Sequence, residues 1–294
     1  MNRRHFLTAT AAASLLPRAF AAEKDAAKAL PFKISLAQWS NHRLLQSGDL
    51  TNLEWPEYTK KNYQIDALEY VNQFFKDKAE DAEYLKELNK RVADLGMKNI
   101  LIMVDGEGSI GARDADTRAQ TVDNHKKWVT AAKTLGCHTI RVNGYGDGSP
   151  EEAAKQVADG LHSLATFAAD HDINVVVENH GGNSSNGEWL SGVLTAVNLP
   201  NCGSLPDFGN FHGYDRYQGI RDLMPFAKGV SAKSREFNEE GEEVQTDFHK
   251  AMKIVLDANY HGHVGVEYEG NKHSEDEGIK LTKALLEEIQ MKHS

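Results

Sequence analysis

From residue 32 onward the chain repeats one pattern. A short apolar run is followed by a polar stretch and then by a longer segment with apolar positions at helical spacing. The short runs predict strands at Phe32–Ser40, Ile65–Asn72, Asn99–Asp105, Thr139–Gly144, Asn174–His180, Gly203–Phe208, Gly229–Lys233 and Val264–Glu269. Helical segments at Ala82–Leu95 and Thr117–Leu135 run into Gly96 and Gly136, residues that readily take the left-handed conformation of a C-terminal cap. Ser149 before Pro150 predicts an N-cap and first turn, and Asp247–Asn259 and Glu275–Met291 read as the last two helices. Strands alternating with helices pair in parallel through right-handed crossovers. Eight such units in 294 residues predict an α/β fold, a single-domain (β/α)8 TIM barrel over residues 32–294. The charged stretch Glu236–Thr246 reads as a solvated turn or small hairpin over the barrel mouth.

The first residues follow a different rule. Asn2-Arg3-Arg4-His5-Phe6-Leu7 precedes a modest apolar run from Leu7 to Leu16, and Ala19-Phe20-Ala21 offers small residues for cleavage. This order resembles a twin-arginine signal peptide over residues 1–22, followed by a linker at 23–31, and predicts export to the periplasm. The formal charge of −10 becomes three units more negative once Arg3, Arg4 and Arg18 are removed. That acidity argues against nucleic acid as a partner and against the membrane surface after cleavage. Cys137 and Cys202 start strands that are not neighbours, so two buried free thiols are expected rather than a disulfide.

In a TIM barrel the reactive groups sit at the C-terminal strand ends, and residues i and i+2 share a face. Strand five runs Val175-Val176-Val177 into Glu178, with His180 on the same face. Strand six ends in Asp207, followed by Asn210 and His212. Strand seven aligns Ser231 with Lys233, and strand eight aligns Glu267 with Glu269. Strand four adds Arg141 and Asn143, and strand two adds Glu69. Burying Glu178, Asp207 and Glu267 together demands a cation or shared protons, and carboxylate ligation favours Mn²⁺ or Mg²⁺. His261, His263 and His171 precede their strands and belong at the opposite end. Trp39, Phe208 and Tyr268 are near enough to the strand ends to stack on a sugar, with packing the commoner role for each.

At VVVENHGG (175–182), LPDFGNF (205–211), GVSAKS (229–234) and GVEYEG (265–270) the chain resembles the sugar phosphate isomerase/epimerase superfamily, the xylose-isomerase-like TIM barrels. The resemblance implies one divalent metal ion, Mn²⁺ or Mg²⁺ before Co²⁺ or Zn²⁺, held by Glu178, Asp207 and Glu267. The family's third ligand is a histidine. Here Ser231 stands in its place, so His180, Ser231 or water is left to complete the site, or the metal is weakened or lost. Asn210 likewise stands where many relatives have histidine.

The implied activity is metal-dependent isomerisation or epimerisation of a keto-sugar through an enediolate. Glu178 and Glu267 would move the alpha proton, with Lys233 and His180 assisting. Arg141, Asn143, Glu69, Asn210 and His212 are the expected substrate contacts. Beta-elimination from a 3-keto-glycoside or inosose shares the first step, and a non-catalytic carbohydrate-binding barrel is the third reading. The partner in each case is a small-molecule carbohydrate, and self-association into a homo-oligomer is compatible with all three.

Overall fold

The computed structural model describes residues 30–294. The predicted signal peptide and nearly all of the linker lie outside these residues. Eight parallel strands form the sheet: β1 (Lys33–Ala37), β2 (Ala67–Val71), β3 (Lys98–Met103), β4 (Thr139–Asn143), β5 (Asn174–Glu178), β6 (Cys202–Leu205), β7 (Val230–Ser234) and β8 (His263–Tyr268). Their order is β6-β5-β4-β3-β2-β1-β8-β7. The two ends meet where Ser231 donates its N–H to Pro206 O (2.9 Å) and Phe208 donates to Ser231 O (3.0 Å). Pro206 has no N–H to give, which interrupts the regular ladder at this seam. All eight predicted strands are present, each within a few residues of its expected ends.

The helices form the outer layer: α1 (His42–Ser47), α2 (Trp55–Tyr63), α3 (Ala82–Asp94), α4 (Ala115–Leu135), α5 (Pro150–Ala169), α6 (Gly187–Val197), α7 (Arg216–Leu223), α8 (Phe248–Asp257) and α9 (Glu275–Lys292). α5 starts with the predicted Ser149 cap, a capping box in which Ser149 and Glu152 each bond the other's backbone N–H. α4 ends at Gly136 in the left-handed conformation. No helix among the described residues is long and apolar enough to cross a membrane.

Strand alternation divides the core in two. Leu36, Leu68, Ile102, Val142, Val175, Val177 and Val264 face outward and pack under the helices with Trp128, Phe248 and Leu286. Ala37, Ala67, Val71, Leu101, Met103, Val176 and Leu205 belong to a smaller apolar cluster within the barrel. That plug is the floor on which the polar strand ends stand. Tyr268 and Phe208 belong to the outer layer and are fully buried, Phe208 edge-on to Phe248, so both are packing residues. Cys137 and Cys202 are buried free thiols, as expected. Residues 236–246 fold back as a small hairpin through a Phe237–Glu243 bridge. Its buried Glu243 accepts N–H bonds from Arg235, Glu236, Gln245 and Thr246.

Candidate active site

The end of β5 delivers Glu178 into the barrel, where Asn143 of β4 is its register partner. The next residue, Asn179, points the other way and clamps the seam. Its amide donates to Asp207 O (2.9 Å), and its Oδ1 accepts from Asp207 N (2.8 Å). Asp207 therefore sits beside Ser231, and on β7 and β8 the register sets Lys233 opposite Glu267. One carboxylate oxygen each from Glu178, Asp207 and Glu267 lies within 4.8 Å of the others, and all three side chains are buried. The three expected carboxylates are thus brought together.

The centre of this group is filled by the chain itself. Lys233 Nζ is 3.3 Å from Asp207, 3.4 Å from Glu267, 3.4 Å from Glu269 and 3.8 Å from Glu178. Its stem crosses Gly209, where an added Cβ would stand 3.0 Å from Lys233 Cγ and Cδ, so glycine makes this approach possible. Burial alone would lower the ammonium's pKa, but the surrounding carboxylates outweigh it and raise the pKa well above the ordinary lysine value. Ser231 Oγ lies 2.6 Å from Glu267 Oε2 and 3.0 Å from Asp207 Oδ2. A hydroxyl has one proton and cannot donate to both, so the network holds together best with a proton on one carboxyl. Burial pushes Asp207 well above the usual carboxylate range, which makes it the proton's place.

A second cation completes the set. Arg141 Nε is 2.9 Å from Glu178 Oε2, and its Nη1 donates to Asp105 Oδ1 at 2.8 Å. Burial opposes ionisation of Glu178, but Arg141 first and Lys233 second reverse the balance and hold its pKa below the usual value. Asp105 is half-buried, which opposes its ionisation, yet Arg141 and the Asn143 amide draw its pKa down to about 2.

A cavity of about 330 Å³ opens above this layer, lined by Trp39, Gln73, Asp105, Arg141, Asn143, Tyr145, His180, Glu267 and Glu269. It is at the small end of the range for ligand pockets, about 300–1,000 Å³. Of the predicted site residues, Arg141, Asn143, His180 and Glu267 face it. Glu178, Asp207, Lys233, Ser231 and Asn210 lie beneath it, with Asn210 donating to Glu178 Oε1 at 3.0 Å. Two expected contacts fall elsewhere. His212 is exposed and does not line the cavity, because the chain has already left the barrel axis after Asn210. Glu69 is buried inside the barrel against Ser35, in space that Gly265 leaves free; a Cβ there would meet its carboxylate at 2.8 Å. Burial raises its pKa to about 7. His180 does not join the carboxylates as a ligand; its ring meets the Tyr145 hydroxyl at 3.2 Å.

Asp105, Tyr145, Gln73 and the clamp Asn179 were not among the expected site residues. Asp105 ends predicted strand three, so the rule that selected Glu178 would have selected it. Tyr145 lies in a loop and Gln73 in a short 3-10 helix after β2, and an outward Asn179 carries no signal in the pattern. The discounted histidines are indeed at the other end of the barrel: His261 bonds Pro31 O, His263 pairs with Lys33 at the start of β1, and His171, in the turn that follows α5, bonds Phe167 O.

An eight-stranded parallel barrel with acidic, basic and aromatic groups at its C-terminal mouth defines the class. The profile of the xylose-isomerase-like TIM barrel family matches residues 61–289, most of the chain, and the protein belongs to that family. A comparison with curated proteins finds no match. Among solved structures, the chain is similar to the IolI protein with a bound zinc atom (16% identity, TM-score 0.72, 90% of this chain and 99% of that one). It is also similar to the 3-keto-D-glucoside 4-epimerase YcjR from E. coli (15%, 0.68, 87% and 99%). A third is the probable 3-DHS dehydratase AsbF from Bacillus anthracis (15%, 0.65, 87% and 99%). At such identities the likeness is one of fold.

The donor set can be tested directly for the divalent ion that the resemblance implies. Asp207 and Glu267 share the Ser231 hydroxyl, Glu178 Oε1 accepts from Asn210, and Lys233 reaches all three carboxylates. A divalent ion needs several oxygens free at about 2.0–2.2 Å. As folded, the residues do not fit one.

Proposed function

We propose that this chain is a sugar isomerase or epimerase that removes a proton alpha to the carbonyl of a keto-sugar or related carbohydrate. The observation that carries this reading is the 330 Å³ cavity, where the carboxylate of Glu267, the guanidinium of Arg141 and the imidazole of His180 converge beside Trp39. Glu267, on β8, is the base. Arg141 holds the carbonyl oxygen and stabilises the enediolate as negative charge develops there. His180, after β5 and on the facing side of the ring, returns a proton to the other face, and Tyr145 at 3.2 Å orients its ring. Lys233 lies below Glu267 and holds its carboxylate in place at 3.4 Å, and Trp39 offers a face for the sugar ring. Each transfer uses only groups of the chain. The fold shared with a 3-keto-D-glucoside 4-epimerase supports the substrate class.

A second reading, beta-elimination from a 3-keto-glycoside, is favoured by one further feature. A groove of about 700 Å³, walled by Leu45, Leu50, Phe74 and Tyr84, shares Gln73 with the cavity. It offers space for a group attached to the reacting sugar, and loss of that group from the carbanion would be the lyase outcome. The fold shared with a probable dehydratase is consistent with it. The N-terminal arginine pair further supports export to the periplasm, where unphosphorylated sugars are the fitting substrates.

The test is proton NMR in deuterated water with a panel of keto-sugars and 3-keto-glycosides. Deuterium entering the alpha position with an epimeric or isomeric product supports the first reading. Release of the attached group supports the second. Binding with no exchange on any member would replace both with a carbohydrate-binding barrel.

A further inference from the structure

We infer that Lys233 takes the place of the divalent ion in this chain, so that the site runs on an internal cation and needs no metal. The inference deepens the proposed function, since it concerns the carboxylates beneath the same cavity. Lys233 Nζ is within 3.3–3.8 Å of Asp207, Glu267, Glu269 and Glu178, and the side chain is only 2% exposed. The first, second and fourth of these were the carboxylates expected to hold the metal, or lie against it. An ion bound to them would stand against the ammonium, and repulsion between the two at that range in a dry site is prohibitive.

Two substitutions explain why the ammonium can settle there. Ser231 replaces the bulky imidazole that would project between Asp207 and Glu267, and its hydroxyl bridges them instead, at 3.0 and 2.6 Å. Asn210 gives Glu178 Oε1 a neutral donor at 3.0 Å. Gly209 supplies the room for the lysine stem. Charge is conserved as well. Lys233 and Arg141 together bring two positive charges to the carboxylates, as a divalent ion would, but both are fixed to strands and their positions do not depend on supply. A sequence with lysine at this position and histidine two residues earlier has a ligand for a metal; this chain has exchanged that ligand for a proton bridge.

The test uses the full chain as expressed, purified without chelator, with elemental analysis for Mn, Mg, Co and Zn and thermal unfolding with and without each ion. The expected result is metal far below one ion per chain and no rise in Tm on adding any of the four. Lys233→Gln should unfold at lower temperature, and Mn²⁺ should raise its Tm where it leaves the parent unchanged. One tightly held ion per chain in the parent, or an equal Mn²⁺ response in parent and variant, overturns the inference. If Lys233→Gln does not fold, metal content and ion response of the parent decide it alone. Failure here leaves the proposed activity standing, because deuterium exchange is read separately; absence of exchange in a metal-free, folded parent overturns the proposed function and not this inference.

Discussion

Arg141 and Glu178 face each other at 2.9 Å beneath the cavity floor, with side chains 5% and 1% exposed. The pair fixes the guanidinium that closes one side of the cavity, and Glu178 has no exposed surface of its own from which to reach a substrate. In the proposed function, therefore, Glu178 holds Arg141 and Glu267 is the group assigned to proton removal. Removing one partner of a buried pair strands the other, at a typical cost of about 3–5 kcal/mol. Arg141→Met should therefore destabilise the protein by about 2–3 kcal/mol, less than the full range because Lys233 still faces Glu178. Urea unfolding at neutral pH measures it, and a loss within error of zero would show that the pair is not formed.

Glu69 makes the fold sensitive to pH. Its pKa is about 7 in the folded chain against an ordinary 4.5, because burial disfavours the charged form. The folded state keeps this proton after the unfolded chain has released it. Its contribution is therefore fully present below about pH 4.5 and is lost as pH rises to about 7, for a total on the order of 3 kcal/mol. Glu69→Gln, which cannot ionise, should flatten the stability profile between about pH 4.5 and 7, the window set by these two values. An unchanged slope would place the titration elsewhere.

Asn179 contacts no cavity group, yet its two bonds hold the Asp207 backbone. Asn179→Ala leaves a buried N–H and C=O unpaired, costing about 2–4 kcal/mol in stability. Asp207 should shift with it, so turnover falls while substrate binding changes little. A lowered kcat with KM near the parent's is the expected signature, and a change confined to KM would contradict it.

Trp39 lines the cavity and stacks on His42, with ring centroids 4.8 Å apart. A ring held this way can receive a sugar without further ordering. Trp39→Ala should raise KM by about tenfold, the equivalent of roughly 1.4 kcal/mol of lost stacking, with little effect on kcat. Equal losses in both would mean that the ring shapes the reacting geometry.

Much of this was legible in the chain. Valine runs that stop at Glu178, and the strand ends at Asp207 and Glu267, follow directly from period-two alternation and from the rule that barrel sites sit at C-terminal ends. The position of Lys233 did not. Alternation shows which face a lysine occupies, but not that Gly209, just past the end of the preceding strand, leaves room for its stem to reach the centre. Glu69 shares a face with the reactive layer, yet its depth depends on Gly265 two strands away on β8. Asp105 ends predicted strand three, but what makes it part of the site is Arg141 on the neighbouring strand. These are relations between strands, and the spacing within one strand does not carry them.

The central claim is that Glu267 removes the alpha proton at this cavity. The most direct measurement is the rate of solvent deuterium entering a turned-over keto-sugar, compared between the parent and Glu267→Gln. Loss of the base should slow exchange by about 10²–10⁴-fold while the variant, near the parent in shape and charge distribution elsewhere, still binds the sugar. Exchange at the parent rate in Glu267→Gln would contradict the account.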